Sequence, residues 1–135
     1  MNRVLEIEEP VDTVHCAERV FDRIRRIHVD YRQENFLLLT LDVRQQLLGA
    51  HVLFKGGRSV MCVDPAVVFR RALLDSAEGI VVAHNHPSGC LDPSDEDLAF
   101  SRQLARAGEL LSIPVLDSVV FNEVSYHSIG DGGGR

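Results

Sequence analysis

The stretch VVAHNHPSGCLDPSDED, residues 81–97, constrains this chain more than any other. An apolar run ends in two histidines one residue apart. The chain then turns through Pro, Ser, Gly and Pro and places four carboxylates within six residues. On a strand, residues i and i+2 point to the same face. His84 and His86 would therefore project together from a strand end, as a chelating pair. Zinc takes neutral imidazole readily, and a catalytic zinc usually has three protein ligands and one open position. The third ligand would be an oxygen or sulfur from a neighbouring element. Asp97, eleven residues after His86, fits best. It falls in the first turn of the next helix, where a carboxylate suits the helix dipole. Ser94 and Asp97 also have the spacing of a capping box, and the two roles can coexist. The bland alternative is a histidine pair bonded to backbone at a strand end. Asp92, Asp95 and Glu96 read as solvent-facing charge. Cys90 could be a soft ligand but reads as a loop residue.

Around this stretch the pattern alternates between helical and extended. Val14, Ala17, Phe21 and Ile24 recur at helical spacing, which predicts a helix beginning near Pro10 or Val11. ENFLLLTLD (34–42) reads as a buried strand, VRQQ as a turn and LLGAHVLFKG (47–56) as its hairpin partner. SVMCVD (59–64) reads as a third strand. Asp64 and Pro65 look like an N-cap and a first helical residue, opening a helix to about Ala77. GIVVAHNH (79–86) is a fourth strand whose continuous apolar start suggests a central position, covered on both faces. A third helix follows from about Ser94 to Ala107. Residues 113–121 and 124–130 close the chain as strands. The order α-β-β-β-α-β-α-β-β predicts an α/β (α+β) fold with a mixed sheet and helices on its faces. Residues 1–130 form one domain in this reading, and GDGGGR a frayed tail.

The 135 residues suffice for one core, and 45% of them are hydrophobic. A net charge of −6 and a pI near 5.4 argue against holding nucleic acid by general phosphate attraction. Arg19, Arg23, Arg25 and Arg26 cluster, as do Arg70 and Arg71, and both groups read as solvated helix faces. Three cysteines without a CxxC make no disulfide framework. Cys16 and Cys62 lie in apolar surroundings and read as core residues. These features, with no signal-peptide core and no membrane-length apolar run, predict a cytoplasmic protein.

The motif His84-Asn85-His86, then seven residues, then Ser94-Asp95-Glu96-Asp97 resembles the JAMM motif of MPN-domain zinc metalloproteases. The local form AHNHPSG…PSxxD is similar, more narrowly, to the bacterial RadC family. ENFLLLTLD, LFKG, VDPAVVFRRALL and IPVLDSVVF resemble RadC segments in the same order. The resemblance covers roughly residues 32–129. Long members look as if they carry an extra helical module at the N-terminus, for which this chain has no room. It resembles the short, single-domain members.

The resemblance implies an MPN/JAB-like, cytidine-deaminase-like three-layer fold. It implies Zn²⁺ held by His84, His86 and Asp97, with a zinc-bound water activated by Glu34, the position matching a family glutamate far upstream. Ser94 would donate a hydrogen bond to the developing oxyanion. The expected activity is zinc-dependent hydrolysis of a peptide or isopeptide amide, with a peptide or protein substrate and no membrane partner. A symmetric homodimer through an exposed strand edge is allowed. The alternative is a non-catalytic or DNA-metabolism-associated RadC-like binding module. A metal-dependent nuclease would want more clustered carboxylates and more basic surface. A zinc deaminase needs Glu two residues after a His and a Pro-Cys-x-x-Cys, and the chain has neither. A closed structural zinc site would call for a fourth protein ligand.

Overall fold

In a computed structural model the described residues are 16–56 and 63–130. Their elements, in chain order, are α1 (Ala17–Ile24), β1 (Glu34–Leu41), β2 (Leu47–Gly56), α2 (Pro65–Leu74), β3 (Gly79–Asn85), α3 (Asp95–Leu111), β4 (Val115–Phe121) and β5 (Tyr126–Gly130). The strands form one sheet in the order β2-β1-β3-β4-β5. All neighbours are antiparallel except β3 and β4. These two are parallel and joined by α3, the connection that lets a chain re-enter a sheet in the same direction. The mixed sheet and its flanking helices are the α/β architecture expected from the pattern, and β3 is central as its apolar run predicts.

Two apolar clusters separated by the sheet make the fold three-layered. Phe36, Leu38, Ile80 and Val82 face α2 and α3, meeting Phe69 and Leu104 among others. Leu37, Leu39, Val81 and Ala83 face α1, meeting Val20, Phe21 and Ile24. Every residue of β1 and β3 is buried, which explains why neither strand shows the alternation of a half-solvated sheet. Each fully buried leucine of β1 contributes roughly 1.5–3 kcal/mol, so the two central strands anchor both layers. The edge strand β2 is only partly covered.

Local signals account for the element ends. The Asp64 carboxylate accepts a hydrogen bond from Ala66 N–H at 2.9 Å, and Pro65 follows it as predicted. The expected turn after β1 closes on Asp42, whose Oδ1 accepts from the N–H groups of Arg44 at 2.8 Å and Gln46 at 2.9 Å. The third helix runs four residues past Ala107, through Gly108, to Leu111. Gly108 does not stop it. A Cβ there would lie 2.4 Å from the Ile113 carbonyl oxygen, so glycine serves close packing at this point. The helix ends at Ser112, in the left-handed region. α2 ends at Leu74, three residues before the predicted Ala77.

Cys16 corrects its core assignment. It is exposed and occupies the N-cap position of α1, outside the apolar stripe that starts at Val20. Cys62, the predicted start of the first helix and most of the predicted third strand lie outside the described residues. No helix among those described is long and apolar enough to cross a membrane.

Candidate metal centre

The carboxyl end of β3 carries His84 within the strand and His86 one residue beyond it. A ligand site at such an end, where a parallel strand gives way to a helix, is common in open α/β sheets. The chain turns tightly after His86, with Gly89 N–H donating to the His86 carbonyl at 2.8 Å. Asn122, in the β4–β5 turn, pins this loop by donating from Nδ2 to the Gly89 carbonyl at 2.9 Å. The loop then delivers the start of α3 above the strand end. Ser94 is its N-cap. The Ser94 Oγ accepts from Asp97 N–H at 3.0 Å, and Asp97 Oδ2 accepts from Ser94 N–H at 2.9 Å. The capping box is therefore complete, and it fixes the Asp97 rotamer.

That rotamer aims both carboxylate oxygens at the histidines. Asp97 Oδ1 lies 3.1 Å from His84 Nε2, and Oδ2 lies 2.9 Å from His86 Nε2. One ligand atom from each of the three residues falls within 4.8 Å of the others. His84 and Asp97 are buried. Burial pushes the Asp97 carboxyl up, but the adjoining His84 ring, the Ser94 N–H and His86 outweigh it and hold the group well below the usual carboxylate range.

The hydrogen-bond chemistry of this cluster is compatible with a cation. His86 Nδ1 faces the Cys90 carbonyl at 2.9 Å. A carbonyl only accepts, so Nδ1 carries a proton, and a neutral ring would keep its Nε2 lone pair for a cation. His84 Nε2 is buried and makes no hydrogen bond, although Asp97 Oδ1 is close by. Acceptor atoms thus converge from three side chains. Two imidazoles and one carboxylate suit zinc, and the carbonyl that orients His86 is the kind of outer partner zinc-binding histidines use.

Glu34 joins the site through the sheet. Phe36 pairs with His84 across β1 and β3, and Glu34, two residues earlier on β1, points to the same face as Phe36. Opposed residues in an antiparallel pair share a face. Glu34 is 8% exposed. Burial raises its pKa, the positive ends of His84 and His86 oppose this, and Asp97 and Glu96 add to it. All five residues singled out in the sequence, Glu34, His84, His86, Ser94 and Asp97, are thus gathered at one end of the sheet. Asp92, Asp95 and Glu96 are exposed, as predicted. Ser88 is exposed too, and its Oγ accepts from Cys90 N–H at 3.2 Å.

The comparisons with known proteins identify the family. The family model described as a RadC-like JAB domain matches residues 14–134. The chain belongs to the RadC family. A UPF0758 protein of Thermosynechococcus vestitus is 43% identical over 96 residues, covering 71% of this chain and 38% of the relative. Another, from Cupriavidus pinatubonensis, is 43% identical over 101 residues, covering 75% and 44%. One from Methanosarcina barkeri is 34% identical over 127 residues, covering 94% and 56%. The chain therefore spans from under two-fifths to just over half the length of these RadC relatives. The JAB domain agrees with the three-layer mixed α/β fold seen here.

Sequence reasoning gave Asn85 a supporting role at most, and it missed Asn35. Both are almost fully buried, Asn85 at 0% and Asn35 at 1%. Asn85 Oδ1 accepts from the Asn35 N–H at 2.8 Å and from Asn35 Nδ2 at 3.1 Å. Asn85 Nδ2 donates to the Gln33 carbonyl at 2.9 Å. The available signal was an asparagine inside an apolar strand, where that residue is depleted and must find partners.

Proposed function

We propose that this chain is a zinc-dependent hydrolase of amide bonds, a metallopeptidase or isopeptidase of the JAMM type. The observation that carries the proposal is the convergence of His84 Nε2, His86 Nε2 and the Asp97 carboxylate within 4.8 Å of one another, beside a buried glutamate. His84, His86 and Asp97 would hold the ion. Bound there, zinc would acidify a coordinated water and polarise a carbonyl oxygen.

The chain's own groups supply the rest. Glu34, its pKa raised by burial, suits a group that takes a proton near neutral pH and returns it to a leaving amine. The Ser94 Oγ accepts from Asp97 N–H, which leaves its own proton free for the substrate oxygen that gains charge. Losing such a donor typically costs on the order of 10²–10³ in kcat. The substrate is a peptide or a protein conjugate. A net charge of −6 gives no support to direct nucleic-acid binding.

Zinc content of untagged protein, measured after zinc loading and desalting, tests the proposal. Wild type and Glu34→Ala should each retain one zinc, and Asp97→Ala should lose it. Peptide or isopeptide hydrolysis by wild type should then vanish in Glu34→Ala. A wild type that retains no zinc overturns the hydrolase reading. Zinc retention without hydrolysis of any amide favours a binding module instead.

A further inference from the structure

We propose that Asn85 is a positioning residue whose carboxamide holds Glu34 in register with the two histidine ligands. The inference rests on the hydrolase reading above. Asn85 lies between His84 and His86 in the chain, so its Cα moves with both. Its side chain grips the chain on either side of Glu34. Nδ2 donates to the carbonyl of residue 33, and Oδ1 accepts from the N–H of residue 35. These groups belong to the two peptide units that flank the Glu34 Cα. The paired register between β1 and β3 ends at Phe36 and His84. Beyond it, the carboxamide takes over the work of a peptide group and extends the pairing to the residue that needs it.

The residue type matters. Asparagine places one acceptor and one donor in a single plane. Aspartate would keep the acceptor and turn a second acceptor toward the Gln33 carbonyl. Serine has only one oxygen to reach both groups. Asn35 reinforces the arrangement, with Nδ2 donating to the carbonyls of Asp30 at 2.9 Å and Gln33 at 3.1 Å. The connection from Asp30 into β1 is thus tied to the strand that bears the ligands. An asparagine that merely satisfied buried backbone would have no reason to act through Glu34.

The full chain loaded with cobalt(II), a coloured stand-in for zinc, separates these cases. Acetohydroxamate is titrated into it and read from the visible spectrum. This bidentate ligand gains affinity when a neighbouring carboxylate accepts its proton. Wild type, Asn85→Asp, Glu34→Gln and the double variant should each hold one cobalt. Acetohydroxamate affinity should fall about ten-fold in each single variant and no further in the double variant, because both changes remove the same interaction. If Asn85→Asp does not fold, Asn85→Ser replaces it, with the same non-additivity expected. Unchanged affinity in the Asn85 variant, or losses that multiply in the double variant, overturn the inference alone. A wild type that takes up no cobalt, or a Glu34→Gln that binds acetohydroxamate as wild type does, overturns the hydrolase reading and the inference with it.

Discussion

Two histidine–carboxylate clusters lie toward opposite ends of β1, and they differ in how their hydrogen bonds close. At the far end, Asp75 caps α2 and faces donors. Its Oδ2 accepts from Thr40 Oγ1 at 2.7 Å and meets His51 Nε2 at 2.7 Å. Arg71 Nε lies 3.6 Å from Oδ1. Gly49 leaves the space for this, since a Cβ there would fall 2.7 Å from both His51 Nε2 and Asp75 Oδ2. At the metal end, Asp97 meets two histidines, one of which has its proton committed to the Cys90 carbonyl, while the other leaves a buried nitrogen without a bond. Both carboxyls are held below their ordinary value. Composition therefore does not separate a structural cluster from a metal centre. The balance of donors and acceptors does. The Thr40 hydroxyl bonds the Asp75 group, the Arg71 charge lies 3.6 Å away, and the cluster ties β1, β2 and α2 together. Among the described residues the Asp97 group has no such donor from a third side chain, an arrangement that would suit a cation.

Zinc should break the symmetry between the clusters most visibly. An ion that binds only the folded state at a hundred times its dissociation constant stabilises by about 2.7 kcal/mol. Thermal or urea unfolding of wild type and of Asp75→Ala should show this gain. Asp97→Ala should show none. A gain that survives Asp97→Ala would place the zinc elsewhere and remove the argument from donor balance.

The reverse contrast is smaller. Asp75→Ala leaves Thr40, His51 and Arg71 without their common acceptor. Removing one partner from such a group costs about 1–3 kcal/mol. The lower half of that range fits a site that water partly reaches, the Asp75 side chain being 15% exposed. Urea unfolding of zinc-free protein measures the loss, and zinc stoichiometry should stay at the wild-type value. If zinc uptake fell together with stability, the two ends of the sheet would be coupled and the comparison would lose its force.

The candidate metal ligands were legible in the sequence because their geometry is local. An i, i+2 histidine pair and a capping box each specify a direction from a few residues. Asp97 could be placed over the histidines because the intervening loop is short. Glu34 was not legible in this way. Fifty residues separate it from His84, and only the resemblance to RadC proteins pointed to it. Its place near the histidines is a property of strand pairing, which no local pattern states. The same limit hid the Asn35–Asn85 pair and the Asp75 cluster, both built from residues distant in the chain. The end of the third helix, expected near Ala107, shows the same limit, because Gly108 serves a contact with Ile113 made only after the chain folds back. The strands themselves were legible because β1 and β3 each carry a continuous apolar run, and that in turn signalled helices on both faces.

The least effect expected is in the acid limb of stability, and it sharpens the comparison from the structural side. Burial pushes the Asp75 carboxyl up, but the hydrogen bonds from His51 and Thr40 and the charges of His51 and Arg71 bring it below its ordinary value of 3.8. The unfolded chain therefore binds this proton more readily than the folded one. The resulting stability is fully present above the unfolded value and is lost as pH falls through the folded one. Wild type and Asp75→Ala, both zinc-free, share every other titrating carboxylate, so their difference isolates Asp75. That difference should be constant from neutral pH down to about pH 5 and shrink progressively below about pH 4. Urea midpoints across that range measure it. A difference that stayed constant into strong acid would mean that Asp75 acts through packing alone. Its hydrogen bonds to His51 and Thr40 would then not be what distinguishes it from Asp97.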